Sequence, residues 1–133
     1  MKSIDLSKKK QRYINIAKEV AASSEYPSFK HGAVLVNGNA VINTSCNKYG
    51  YNRFAARFRR RDEGLPTVHA ELGSILNMDR SKTDGAIVYV VRINKQGDTL
   101  MSRPCNMCAA AMKHCGIKKV IYSTNEGFNI ESL

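Results

Sequence analysis

Two short motifs constrain this chain more than anything else in it: His69-Ala70-Glu71 and, further along, Pro104-Cys105-Asn106-Met107-Cys108. One histidine, two cysteines and a neighbouring carboxylate are the side chains that a hydrolytic zinc site needs. Three ligands, His69, Cys105 and Cys108, leave the fourth tetrahedral position of Zn²⁺ for water. The metal lowers the pKa of such a water to about 7, so hydroxide is available at neutral pH. Glu71, two residues after the histidine, is placed to move protons rather than to ligate. Cys105 and Cys108 are spaced i, i+3, so both emerge on one helix face. In a first helical turn, unused N–H groups and the positive dipole end favour thiolate sulfur.

The bland alternatives are two buried thiols or a closed structural zinc. A closed site needs a fourth ligand, for which Cys46, Cys115, His31 and His114 are available, but none of them forms a second paired motif. Glu71 taken alone would read as a solvated acid near a helix start. Beside His69 and the cysteine pair, the proton-transfer role is the better reading.

At 133 residues and 43% hydrophobic, the chain is expected to form one domain over residues 1–133 with a real core. No run approaches the ~20 apolar residues of a membrane span, so no membrane partner is expected. Met1-Lys2-Ser3-Ile4-Asp5 shows no apolar signal region, which points to the cytoplasm. In that reducing compartment the four cysteines read as metal ligands or core thiols. A net charge of +10 favours anionic partners such as nucleotides or nucleic acid without selecting among them.

The first helix is expected over residues 7–23, capped by Ser7, with Tyr13, Ile16, Ala17 and Val20 at helical spacing. Strands at 32–36 and 40–45 flank Asn37-Gly38, a hairpin turn signal. The continuous apolar run Ala33-Val34-Leu35-Val36 suits a strand buried on both faces. A second helix, about 68–79 with Thr67 as cap, would carry His69 and Glu71. Residues 86–93 form the clearest strand, and Lys95-Gln96-Gly97-Asp98 a turn. Pro104 suits the first turn of a third helix running to about Cys115 and closed by Gly116. Strands at 119–123 and 128–132 end the chain. Only Thr124-Asn125-Glu126-Gly127 separates them, so they should pair antiparallel, because a parallel partner needs a crossover of a dozen or more residues. The order predicts an α/β fold: a three-layer α/β/α sandwich around a mixed sheet with an antiparallel C-terminal strand pair.

With these residues in view, the chain resembles the cytidine and deoxycytidylate deaminase superfamily, over roughly residues 28–124. The resemblance rests on Gly32-Ala33-Val34-Leu35-Val36, Asn47, the His-Ala-Glu and Pro-Cys-x-x-Cys motifs, and Gly116-Ile117-Lys118-Lys119-Val120-Ile121-Tyr122. It implies a cytidine-deaminase-like sandwich, a Zn²⁺ cofactor, and hydrolysis of a nucleobase amine. It also implies that Asn47 contacts the substrate's sugar or base and that the Ala70 backbone N–H faces the base; the competing reading of Asn47 is a turn residue. Pro66-Thr67-Val68-His69-Ala70-Glu71 and the Pro-Cys helix are similar to bacterial tRNA adenosine deaminases as well. An antiparallel C-terminal pair resembles the free-nucleoside cytidine deaminases rather than the enzymes that act on tRNA or polynucleotides. Two local departures mark this chain. Arg103 stands where deoxycytidylate deaminases usually carry Ser or Thr, and the stretch 92–101 is longer than the usual step from strand to Pro-Cys.

Residues 48–61 hold six basic and four aromatic residues and no acid. Arg57, Arg59, Arg60 and Arg61 are candidates for phosphate contact, since the segment joins Asn47 to His69. Phe54 and Phe58, spaced i, i+4, read instead as the packed face of a short amphipathic helix. The expected activity is conversion of a cytosine base to uracil in a free nucleoside or nucleotide, cytidine, deoxycytidine or their monophosphates, with release of ammonia. The rival activity is deamination in RNA or single-stranded DNA, tRNA adenosine included; the rival without catalysis is a nucleic-acid-binding module with structural zinc. A homo-oligomer is compatible with the sequence.

Overall fold

The computed structural model describes residues 7–24, 30–47, 70–75 and 78–133. Helix α1 (Lys8–Ala22) starts at Ser7, whose side chain accepts the Lys10 N–H. Strands β1 (Lys30–Asn37) and β2 (Ala40–Cys46) follow, then helix α2 (Ala70–Ile75) and a single turn, α3 (Arg80–Thr83). Strands β3 (Ile87–Ile93) and β4 (Thr99–Leu100) precede helix α4 (Asn106–His114), and β5 (Lys119–Thr124) and β6 (Gly127–Ser132) close the chain.

The strands form one mixed sheet in the order β2-β1-β3-β5-β6, with β4 paired to β3 outside that path. Among the described strands only β3 and β5 run parallel. β5 and β6 form the expected antiparallel hairpin, with Lys119 opposite Ser132 and Thr124 opposite Gly127. Alternate residues feed two cores. Ala33, Leu35, Val88, Val90, Val120 and Tyr122 face α2 and α4. Val34, Val36, Tyr89, Val91 and Ile121 face α1. Ala33 to Val36 are all buried, as a strand covered on both faces requires.

Several local expectations are corrected. Ile14 and Ala21 join Tyr13 and Ala17 as the buried residues of α1, while Ile16 and Val20 sit half-buried at its flank. The cause is Gly32 on β1. A Cβ built there would lie 2.1 Å from the Ala17 carbonyl oxygen and 2.5 Å from the Ala21 nitrogen, so helix backbone rests directly on strand backbone. Small residues at 17 and 21 permit that approach. The hairpin turn is Gly38-Asn39, one residue later than Asn37-Gly38. Both turn residues have positive φ, 58° and 66°, as a primed turn demands. Asn37 stays in the ladder opposite Ala40, and a bulge after Leu35 absorbs one residue of β2.

The second helix ends sooner than expected: Met78 and Asp79 are not helical, and Asp79 precedes the separate turn α3. Its expected start, with Thr67, lies outside the described residues. Pro104 stands ahead of α4, and Cys105 is its N-cap. At the other end Ile117 N–H bonds the Met112 carbonyl and Gly116 N–H that of Lys113, both at 3.0 Å, with Gly116 at φ 84°. That is a Schellman close. The long step 92–101 folds as a hairpin: Asn94 Oδ1 accepts N–H from Gln96 and Asp98, and β4 returns along β3.

Gly32→Ala should destabilise the fold by about 1–3 kcal/mol, since two backbones must separate to admit one methyl. Urea unfolding measures this; a midpoint unchanged from the parent would mean that α1 does not rest on β1 in this way.

Candidate active site

The crevice between parallel strands is where an α/β sheet opens at its C-terminal end. Here the last paired residues of β3 and β5 are Val90 and Tyr122. Just beyond them the Ser102 hydroxyl enters the gap. It donates to the Val90 carbonyl at 3.0 Å and accepts the Ser123 N–H at 2.8 Å. The Ser123 hydroxyl in turn donates to the Leu100 carbonyl at 2.6 Å and accepts the Arg92 N–H at 3.0 Å. Ser102 and Ser123 are 3% and 0% exposed, so these bonds are made out of water. They fix the segment that delivers Pro104 and Cys105. On the surface, Arg103 makes a two-point ion pair with Glu131 of β6, at 2.7 and 3.2 Å. Glu131 thereby raises the Arg103 pKa above its ordinary value.

Cys105, in extended conformation, caps α4 with its sulfur, which accepts the Cys108 N–H at 3.5 Å. Cys108 sits three residues into the helix and is fully buried. Sulfur placed on helix N–H groups is held where the dipole favours negative charge. All four cysteines are thiols rather than disulfides. Ala70, at the described start of α2, is fully buried in the same apolar cluster as Cys108, with Cys105 packed against it. The residue following His69 thus shares a core with both thiols. Two cysteine sulfurs at the start of one helix, that of Cys105 accepting a helix N–H, fit the donor chemistry of a zinc site. His69, Arg57, Arg59, Arg60 and Arg61 lie outside the described residues, as does the aromatic pair at 54 and 58. Glu71 is the second residue of α2.

Cys115 and His114 lie at the far end of α4, about 10 Å along the axis from Cys108, and so belong to a different neighbourhood. Burial pushes the Cys115 thiol up from its usual pKa, with Arg80 opposing. Among the described residues no group of three or more His, Cys, Asp or Glu could hold a metal.

Asn47 is buried where β2 ends. Its Oδ1 accepts the His31 N–H at 2.9 Å and the Ser24 hydroxyl, clasping the end of α1 to the β1–β2 hairpin. Sequence reasoning offered a turn role or a substrate role for Asn47, and the structure gives it a clasp. Two positioning groups were missed. Asn43 donates from Nδ2 to the Gly73 and Ser74 carbonyls, tying α2 to β2. The Ser102–Ser123 pair carries no periodic signal by which it could have been found.

A family model described as the cytidine and deoxycytidylate deaminase zinc-binding region matches residues 7–124. The chain belongs to that deaminase family. A probable deoxycytidylate deaminase of Caenorhabditis elegans is 30% identical over 125 residues, 89% of this chain and 58% of that protein. The human deoxycytidylate deaminase is 30% identical over 115 residues, 80% of this chain and 59% of that protein. The chain therefore spans somewhat more than half the length of these two relatives. An uncharacterized deaminase of Aliivibrio fischeri is 31% identical, covering 86% of this chain and 72% of its own.

Among solved structures, a dCMP deaminase from the cyanophage S-TIM5 superposes with a TM-score of 0.60 at 21% identity, over 86% of this chain and 81% of that one. A cytidine deaminase from Burkholderia pseudomallei gives 0.59 at 18% identity, over 96% and 93%. These likenesses carry the fold: the α/β sandwich of the cytidine deaminases. No helix among the described residues is long and apolar enough to cross a membrane.

Ser102→Ala should cost about 1–3 kcal/mol, because it leaves the Ser123 N–H and the Val90 carbonyl buried without their shared partner. Thermal unfolding reads the loss, and an unchanged midpoint would reject the role given to this hydroxyl.

Proposed function

We propose that this chain converts a cytosine base to uracil in a free nucleoside or nucleotide, adding water at the amine-bearing carbon and releasing ammonia. Membership of the deaminase family supports the reaction class. The observation that carries the choice of a small substrate is the antiparallel β5–β6 pair, the arrangement that resembles free-nucleoside enzymes. His69, Cys105 and Cys108 would hold Zn²⁺, which when bound supplies an activated water as nucleophile. Glu71 takes the proton released when water adds and gives it to the ring nitrogen; it then takes the proton of the added hydroxyl and passes it to the departing amine as the carbonyl forms. The Ala70 N–H is proposed to face the base, and Asn47 is the candidate contact to sugar or base. Arg57, Arg59, Arg60 and Arg61 are proposed to meet a substrate phosphate.

Mass-spectrometric product analysis over cytidine, deoxycytidine, their monophosphates, adenosine and single-stranded oligonucleotides tests the substrate class. Exclusive turnover of oligonucleotides would overturn the small-substrate reading.

Cys108→Ala should lose zinc by elemental analysis, whereas Glu71→Ala should keep zinc and fold while turnover falls about 10²–10⁴-fold or more. Full metal retention in the first, or parental activity in the second, would sink the corresponding role. Replacing Arg57, Arg59, Arg60 and Arg61 together should raise KM for a nucleotide and leave kcat in place. A flattened salt dependence of oligonucleotide binding, with nucleotide kinetics unaltered, would favour a polynucleotide substrate instead.

A further inference from the structure

On the face of the sheet away from α2 and α4, a second cavity of about 220 Å³ opens between the start of α1 and the starting end of β3. Pro104 and Cys105 follow the other end of β3, so this cavity differs from the candidate active site in both face and end. Lys9 and Lys10 line it, with the Gly38-Asn39 turn and Gly85. A Cβ at Gly38 or Gly85 would meet nothing within 4 Å, so bare backbone leaves these walls open. Among the described residues no carboxylate lines it.

The first turn of α1 carries Lys8, Lys9 and Lys10 and no acid, which sets three cations on the positive end of a 15-residue helix. That arrangement is unfavourable unless an anion compensates it. A second observation is independent of the helix end. Tyr89, on β3, lines the cavity and is only 2% exposed. Its ring centroid lies 5.2 Å from that of Tyr13, whose hydroxyl donates to the Asn39 carbonyl. Among the described residues the Tyr89 hydroxyl has no hydrogen-bond partner, and it is not one of the fully buried atoms that lack one, so it is open to a ligand from the cavity side. Burial, with Tyr13 beside it, pushes the Tyr89 phenol up to about 12, so it remains a donor at neutral pH. A tyrosine hydroxyl without a protein partner, two lysines and a helix N-terminus around a hollow with no carboxylate among its described lining define an anion's environment.

We propose that this cavity is an oxyanion site, taking a phosphate group with Lys9, Lys10 and Tyr89 as its binding groups. The phosphate is either inorganic or borne by a small monoester.

The test is calorimetric titration of the zinc-loaded protein with inorganic phosphate and, separately, with ribose 5-phosphate, ionic strength being held with chloride. Saturable binding is expected. Tyr89→Phe, which keeps the buried ring, should weaken it about tenfold, as loss of a hydrogen bond to a charged group does. Lys9→Met with Lys10→Met should weaken it at least as much. Tighter binding of ribose 5-phosphate than of phosphate assigns the site to a monoester, and equal binding assigns it to the free anion. The proposal is overturned if neither titrant saturates, or if binding is unchanged in both variants. It is also overturned if binding is lost only when Arg57, Arg59, Arg60 and Arg61 are replaced, for the phosphate then belongs to the candidate active site. Deaminase activity does not enter the readout, so the cavity and the catalytic reading stand or fall separately.

Discussion

A single hydroxyl group stands where the parallel β3–β5 ladder ends. β3 and β5 are joined through Val90 and Tyr122, and there the Ser102 side chain replaces the next rung, bonded to one strand's carbonyl and the other's amide. Parallel strands that stayed paired would leave no crevice at this end. Strands that merely parted would leave orphaned backbone groups in an apolar interior, at a cost of about 1–3 kcal/mol each. The serine satisfies both groups and brings the chain directly to Pro104 and Cys105. Everything downstream depends on this placement, because Cys105 must arrive in extended conformation to cap α4.

The cysteine pair then serves local structure and chemistry with the same atoms. As N-cap, Cys105 does what serine or aspartate more often does, accepting an amide of the first turn. Sulfur is a poorer acceptor than oxygen, so helix stability alone does not explain the choice. The zinc ligation proposed for this pair would explain it. This reasoning joins the matched family to the structure: the motif that defines a zinc-binding region is also what begins the helix.

Much of this was legible in the residues, for identifiable reasons. β3 is read from a run rich in Val and Ile, because a strand covered on both faces shows little polar alternation to confuse it. The β5–β6 hairpin is read from the brevity of its link. The buried face of α1 was misread at Ile16 and Val20, since short apolar patterns admit two neighbouring stripes and the choice was made by Gly32 on another element. The turn at Gly38-Asn39 differs by one residue from the sequence reading because the buried register of β1, with its bulge, outweighs the turn preference of Asn37-Gly38. β4 and the Ser102 wedge were invisible: two residues make no period, and a serine's role depends on strands distant in sequence. The Pro-Cys-x-x-Cys start of α4 was plain, whereas the clasp made by Asn47 was not separable from a substrate contact.

The sheet order carries a consequence for how the chain acquires its shape. The pairs β1–β2 and β5–β6 close over two-residue turns, and such hairpins form on the order of microseconds. The centre is different: β1 meets β3 by joining Lys30 to Ile93, and β3 meets β5 only after α4 has been laid across the sheet. Contacts so distant along the chain are repaid late, because loop closure costs entropy before it is rewarded. The margins of the sheet therefore form first and its middle last. The crevice holding Ser102 and the cysteine pair lies in that middle, so the candidate active site is completed in the closing step of folding.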